Sequence, residues 1–163
     1  MKIAFIQTGG TIDKSYPKIL NSYAFEMGGP AFLRILKRVN LNFEVESLSL
    51  FKIDSTEMEE KHREIIKFTC RDINCDKIII THGTDAITKT AEKLSTLKGK
   101  TIVMVGAIMP ESVKGSDADF NLGVAVGAIN LLPHGVYIAM SGRVYKWNEC
   151  EKNAECKFVE KKK

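Results

Sequence analysis

The turn at the end of the first apolar run carries glycines and a threonine in an arrangement that suits nucleophilic chemistry. It is the run Gln7-Thr8-Gly9-Gly10-Thr11-Ile12-Asp13. Because glycine has no side chain, Gly10 lets the backbone approach a ligand closely and leaves the Thr11 hydroxyl at the turn. A hydroxyl with a base beside it can attack a carbonyl carbon. A tight turn without any chemistry is the alternative interpretation of this segment.

A second group of hydroxyls lies in Ile53-Asp54-Ser55-Thr56-Glu57-Met58, where another apolar run ends and a helical pattern begins. Ser55 and Thr56 suit helix capping, which explains them without any ligand. Hydroxyls and free backbone N–H groups at the start of a helix also favour an anion. The same pair therefore fits the carboxylate of a small substrate.

A third segment, Thr81-His82-Gly83-Thr84-Asp85, sets a hydroxyl beside a carboxylate after the next apolar run. Thr84 and Asp85 suit the activation of a water molecule and the binding of an ammonium group. Asp85 is also favourable near a helix start for electrostatic reasons alone, which is the alternative. His82 is ambiguous by itself, and a structural role is favoured for it.

Short apolar runs rich in β-branched residues alternate with longer amphipathic segments along the chain, which predicts strands and helices around a parallel sheet. Strands are predicted over 2–7, 43–51, 77–81, 101–106 and 135–140, and helices over 30–39, 56–73, 86–97 and 117–132. Thr56 and Glu59 have capping-box spacing at the start of the second helix. The predicted fold class is a single three-layer, doubly wound α/β domain with a mainly parallel sheet, of the Rossmann or flavodoxin type.

All three hydroxyl-bearing segments follow strands of this predicted sheet. In open α/β sheets, ligands bind beyond the carboxyl ends of the strands. We therefore expect the three segments to meet in one crevice.

Length and composition bound the remaining possibilities. The chain has 163 residues, 44% of them hydrophobic, which predicts one domain over 1–163. Within it, 141–163 is expected to be a polar C-terminal extension that crosses the sheet edge or contacts a neighbouring subunit. The net charge of +4 comes from dispersed residues, so no nucleic-acid partner is expected. No apolar stretch suits a signal or membrane segment, and the four cysteines lack Cys-x-x-Cys spacing. A cytoplasmic location, without membrane contact or a metal site, is therefore expected.

Two of these runs, Thr8-Gly9-Gly10-Thr11-Ile12 and Thr81-His82-Gly83-Thr84-Asp85, resemble the two signature motifs of the bacterial-type L-asparaginase family. The resemblance extends to 54–58, 105–110 and 119–122 and covers nearly the whole chain. It matches the N-terminal, catalytic domain of the family and its short-chain members. It therefore implies an asparaginase-type amidohydrolase without a C-terminal asparaginase domain and without a cofactor.

The resemblance also implies catalytic roles. Thr11 is the expected nucleophile, which attacks the side-chain amide of asparagine and forms an acyl-enzyme. Tyr23, with Tyr16 as second choice, is the expected base. Thr84 is expected to pair with a lysine whose positive charge lowers its proton affinity. Lys152 is favoured over Lys146 for that lysine, and the chemistry alone leaves Thr11 and Thr84 both able to act as the nucleophile.

Substrate binding follows from the same resemblance. Asp85 is expected to bind the ammonium group of asparagine or a related small amide. Ser55 and the groups around it are expected to hold the carboxylate, and the remaining members of the expected binding site are Gly10, Thr56 and Gly83. Long-chain members complete each site with an acidic residue of a neighbouring subunit. A homo-oligomer is therefore expected, in which the glutamates of the final segment are candidates for that acid: Glu149, Glu151, Glu155 and Glu160.

Two other functions compete with amide hydrolysis. A regulatory or small amino-acid-binding protein would keep the crevice without turnover. A nucleotide-binding domain is suggested by Gly99-Lys100-Thr101, but the phosphate-loop pattern needs a glycine at the position of Leu94 and must open a helix. Here it precedes a predicted strand, which disfavours that function.

Overall fold

The apolar runs form strands and the amphipathic runs between them form helices. The computed structural model describes residues 1–17 and 24–161. The strands are β1 (Lys2–Gly9), β2 (Lys14–Ser15), β3 (Glu26–Met27), β4 (Glu44–Ile53), β5 (Lys77–Thr81), β6 (Thr101–Val105), β7 (Gly135–Met140), β8 (Arg143–Lys146), β9 (Cys150–Lys152) and β10 (Phe158–Glu160). The helices are α1 (Ala31–Leu36), α2 (Glu60–Asp72), α3 (Ile87–Leu94) and α4 (Ala118–Ile129).

The central sheet has six strands in the order β4-β1-β5-β6-β7-β8. Its first five strands run parallel, and β8 pairs antiparallel with β7 at one edge. Among the parallel strands, the first along the chain lies between the second and the third, which is the flavodoxin-like order. The prediction of a doubly wound, mainly parallel α/β domain is confirmed.

Helices cover both faces of the sheet, which explains why its central strands are apolar without interruption. Ile78 and Ile80 of β5 pack in one core with α2 and α3, whereas Ile79 packs in the other with α1 and α4. All three isoleucines are fully buried. The three layers follow from this alternation of side chains along each strand.

The start of α2 differs from the prediction. The capping box predicted for Thr56 and Glu59 is wrong, because the box forms between Glu59 and His62. Thr56 instead lies in a short 3₁₀ turn, Ser55–Glu57, where its backbone N–H donates to the side chain of Asp54. Since Asp54 already caps this turn, the α-helix begins later, at Glu60.

The segment after β7 contributes to the core of the domain. Strand β8 extends the sheet, and β9 and β10 form an antiparallel hairpin. Tyr145, Cys150 and Phe158 are buried in the same core as α2 and α3. Their packing fixes the hairpin against the sheet. In the two described stretches, no helix has the length and apolar content needed to cross a lipid bilayer.

Candidate active site

The three predicted segments follow β1, β4 and β5, which are adjacent parallel strands. Their carboxyl ends therefore lie at the same edge of the sheet. A buried hydrogen bond of 2.8 Å from the Thr8 hydroxyl to the Thr81 carbonyl oxygen joins the ends of β1 and β5. The Gly10 N–H donates to the Ile53 carbonyl oxygen at 3.0 Å and joins the ends of β1 and β4.

The first and third segments touch through their glycines. Gly10 has a φ of 88°, in the left-handed region that favours glycine. A Cβ atom at Gly10 would lie 2.3 Å from both the Cα and the N of Gly83, where no side chain fits. Thr11 and Thr84 directly follow these two glycines, so the backbones that carry the two hydroxyl groups adjoin.

The second segment joins the same contact. A Cβ atom at Gly83 would lie 2.5 Å from the Oγ of Ser55, and Ser55 itself is buried. The neighbouring Thr56 is exposed, and its hydroxyl donates to Asp54 at 3.2 Å. Gly10, Gly83 and Ser55 therefore lie together, whereas Thr56 faces the rim.

The hairpin of β9 and β10 brings a cation to the third segment. Lys152 Nζ donates to Thr84 Oγ1 at 2.9 Å and to Asp85 Oδ1 at 2.5 Å. Lys146, the other lysine considered for this position, is exposed and lies 3.9 Å from Glu149. A positive charge at hydrogen-bond distance stabilises an ionised or partly ionised hydroxyl. Of the two lysines, Lys152 is the one that the structure brings beside Thr84.

Thr11 begins a 3₁₀ turn, Thr11–Asp13, and is partly exposed. Tyr23, the first-choice base, lies outside the described residues. Tyr16, the second choice, is 66% exposed and packs its ring against Phe25, with 4.7 Å between ring centroids. Among the described residues, no hydrogen bond joins Tyr16 to Thr11.

His82, the second residue of the third segment, is fully buried. Its Nε2 lies 2.8 Å from the Thr90 hydroxyl and its Nδ1 lies 2.7 Å from the Gly83 carbonyl oxygen. Desolvation lowers the pKa of His82 from 6.5 to about 4, so the ring is neutral near physiological pH. These contacts support the structural role favoured for it.

Replacing His82 by glutamine is expected to alter the pH dependence of stability. Since the folded pKa lies below the unfolded value, the unfolded state binds the proton first as pH falls. The titration of His82 alone should therefore lower the free energy of unfolding of the wild type by about 3 kcal/mol between about pH 6.5 and pH 4. Glutamine does not titrate, so urea unfolding over this range should show the wild type losing that much relative to His82→Gln. A difference that stays constant with pH would contradict a neutral, buried imidazole.

Three side chains near these segments make contacts that the sequence did not predict. Lys14 Nζ binds Asp54 at 2.7 Å, which lowers the pKa of that carboxyl and ties the first segment to the second. Asn121 links two further strand ends, because it donates to the Gly106 carbonyl oxygen and accepts from the Ser141 N–H.

The third of these side chains is Asp13, which is fully buried two residues after Thr11. Desolvation raises its pKa from 3.8 to about 6. Its position in the first run was visible in the sequence, but no periodicity marks it as buried.

A doubly wound α/β domain with its hydroxyl groups at the carboxyl edge of the sheet defines the structural class of this protein. A family model described as asparaginase, N-terminal, matches residues 2–158. The chain therefore belongs to the asparaginase family, as its two motifs implied.

Curated relatives agree with this membership. A probable periplasmic L-asparaginase of Haemophilus influenzae is 32% identical over 154 residues, which covers 87% of this chain and 43% of that protein. The L-asparaginase of Thermococcus kodakarensis is 27% identical over 88% of this chain and 45% of its own length. One component of the glutamyl-tRNA(Gln) amidotransferase of Pyrococcus furiosus is 34% identical over 74% of this chain and 29% of its own length.

Solved structures share the fold. A probable cytoplasmic L-asparaginase from Campylobacter jejuni superposes with a TM-score of 0.84 at 24% identity, covering 98% of this chain and 53% of that one. The thermostable enzyme from Thermococcus kodakarensis gives a TM-score of 0.81. The chain spans about half the length, or less, of the relatives that it matches.

Proposed function

We propose that this protein hydrolyses the side-chain amide of asparagine, or of a related small amide, to a carboxylic acid and ammonia through a threonine acyl-enzyme. Membership of the asparaginase family supports amide hydrolysis in general. The observation that carries the finer proposal is the contact of Lys152 with Thr84 and Asp85, at the edge of the sheet where Gly10 adjoins Gly83.

In the proposed reaction, Thr11 Oγ1 attacks the amide carbon after its proton passes to a base, for which Tyr23 is the candidate. The carbon–nitrogen bond then breaks, and the amide nitrogen leaves as ammonia with the transferred proton. Water next attacks the ester, gives the product acid and restores the Thr11 hydroxyl. Thr84, with Lys152 beside it, is suited to take part in proton transfer at both steps.

Substrate binding uses the groups around the same contact. The Ser55 hydroxyl suits the α-carboxylate, because Ser55 adjoins Gly83 at the contact between the segments. Asp85 is 55% exposed at its side chain and so is accessible to a substrate ammonium group. Gly10 and Gly83 let the backbones beside Thr11 and Thr84 approach each other, and Thr56 is exposed beside Ser55. Homo-oligomerisation and a cytoplasmic location stay predictions.

Ammonia release from asparagine tests the proposal most directly. The wild type is expected to release ammonia, and Lys152→Met is expected to lower kcat by about 10²-fold or more, because Thr84 then lacks its neighbouring cation. Lys157→Met serves as the matched control, since Lys157 lies after the same hairpin turn and contacts only Glu155 among the ion pairs of the described residues. Its kcat should equal that of the wild type.

Two outcomes would count against the proposal. No ammonia from asparagine or glutamine, together with a thermal shift caused by asparagine, would indicate a binding protein instead of an enzyme. Equal activity of Lys152→Met and Lys157→Met would remove Lys152 from the reaction.

A further inference from the structure

Asp13 is a buried carboxylate that the proposed reaction does not use. It has no exposed surface, and it lies at the end of the 3₁₀ turn that begins with Thr11. Desolvation is the largest influence on its pKa, which is raised to about 6. The carboxylate is therefore mostly ionised near neutral pH although its surroundings disfavour the charge. Burying a charge in this way weakens a fold unless specific contacts compensate.

The contacts of Asp13 come from three different elements. The backbone N–H of Ala31, at the start of α1, donates to Asp13 Oδ1 at 2.7 Å. The hydroxyl of Thr81, at the end of β5, donates to Asp13 Oδ2 at 3.4 Å. The side-chain amide of Gln7, on β1, also stabilises the ionised form. A carboxylate accepts on both oxygens, here from the Ala31 N–H and the Thr81 hydroxyl, whereas an amide side chain accepts on only one.

The backbone of Asp13 fixes the same turn. Its N–H donates to the Gly10 carbonyl oxygen at 3.0 Å, and its carbonyl oxygen accepts from the Gly28 N–H at 2.8 Å. Gln7 Nε2 also donates to the Gly28 carbonyl oxygen at 3.1 Å. Asp13 thus joins the Thr11 turn to the start of α1 and to the strand that precedes Thr84.

The charged groups around this carboxylate are few. Arg34 of α1 lowers its pKa through the charge interaction, and Arg34 itself binds Glu111 at 2.5 Å. Lys14, the next residue, directs its ammonium group to Asp54. The groups that face Asp13 from β1 and β5 are neutral.

We infer that Asp13 is a positioning residue, whose ionised carboxylate holds the Thr11 turn in register with Thr84 and Asp85. This inference rests on the proposed amide hydrolysis for its effect on rate. Asp13 does not touch the reacting atoms. Its role is to fix the backbone on which Thr11 stands, because a small displacement of a nucleophile lowers the rate strongly.

Protonation of Asp13 should loosen this arrangement. A protonated carboxyl brings a hydrogen into a site where the Ala31 N–H and the Thr81 hydroxyl already donate, and of these two only the Thr81 hydroxyl can reverse its role. Since the pKa of Asp13 is raised to about 6, kcat is expected to decline as pH falls through about 6.

The test compares Asp13→Asn with the wild type, and Asp76→Asn is the control because Asp76 is a 78% exposed acid. The pH profile of ammonia release is expected to lose its acid limb near about pH 6 in Asp13→Asn. The expected kcat is lower by at least about tenfold, with KM changed by less than about threefold. At about pH 7.5, circular dichroism should show that Asp13→Asn is folded at the assay temperature, so that the lower kcat is not caused by unfolding. An unchanged kcat and acid limb, or a loss of activity that merely follows lost stability, would overturn the inference.

A second measurement separates this inference from the proposed function. Hydrogen exchange of peptides that span 8–14 should be at least about threefold faster in Asp13→Asn than in the wild type. Unchanged exchange overturns the positioning role whether or not the protein is active. A wild type without ammonia release contradicts the proposed function, and the exchange experiment then still decides on Asp13.

Discussion

Thr11→Ala is expected to lower ammonia release from asparagine by at least about 10³-fold, because it removes the oxygen that forms the acyl-enzyme. The backbone of the turn should persist, since Gly10 and Asp13 hold it through main-chain hydrogen bonds. Thr96→Ala is the matched control, because Thr96 is an exposed threonine just beyond α3. Continuous ammonia measurement, with circular dichroism to establish folding, gives the comparison.

The nucleophile can be identified with the wild-type protein. Rapid quenching of the wild type with asparagine, followed by peptide mass spectrometry, should find an aspartyl ester on Thr11. Thr84→Ala should also be strongly impaired, because Thr84 is the group that Lys152 contacts. An ester found on Thr84 would reverse the two roles, and full activity of Thr11→Ala would remove Thr11 from the chemistry.

Gly10→Ala is expected to weaken the fold by about 2–6 kcal/mol and to abolish turnover. The added Cβ would lie 2.3 Å from the backbone of Gly83, and the φ of 88° is unfavourable for alanine. Overpacking and left-handed strain each cost about 1–3 kcal/mol. Urea unfolding measures the change in free energy.

Gly127→Ala provides the comparison for this glycine. Gly127 lies inside α4, where a Cβ atom would meet no other atom within 4 Å. Alanine is a better helix former than glycine, so this variant should be as stable as the wild type or more stable by about 1 kcal/mol. If Gly10→Ala were as stable as Gly127→Ala, the close approach of the first and third segments would be wrong.

The five parallel strands, and the meeting of the three segments at one edge of the sheet, could be predicted from the sequence because their signals are local. Each hydroxyl-bearing segment directly follows an apolar run, and the parallel order of β4, β1 and β5 brings the three segments to one edge. The predicted start of a helix was less accurate where neighbouring side chains compete to cap it. At the start of α2, the carboxylate of Asp54 caps a 3₁₀ turn that includes Thr56, and the predicted helix start moved to Glu60.

The lysine beside Thr84 depended on contacts between distant parts of the chain. Lys146 and Lys152 lie in similar polar sequence, and only the docking of the hairpin through Cys150 and Phe158 separates them. The burial of Asp13 likewise depends on contacts between distant parts of the chain. Its partners Ala31 and Thr81 lie 18 and 68 residues away, and no pattern near Asp13 marks them.

The separation of 68 residues from Thr84 to Lys152 also sets an order of events during synthesis. Ribosomes deliver the chain from its N-terminus, so the turns that carry Thr11 and Thr84 emerge before the hairpin that carries Lys152. Only when the hairpin docks does Thr84 gain its charged neighbour, so the sequence order delays the completion of this site until synthesis has passed Lys152.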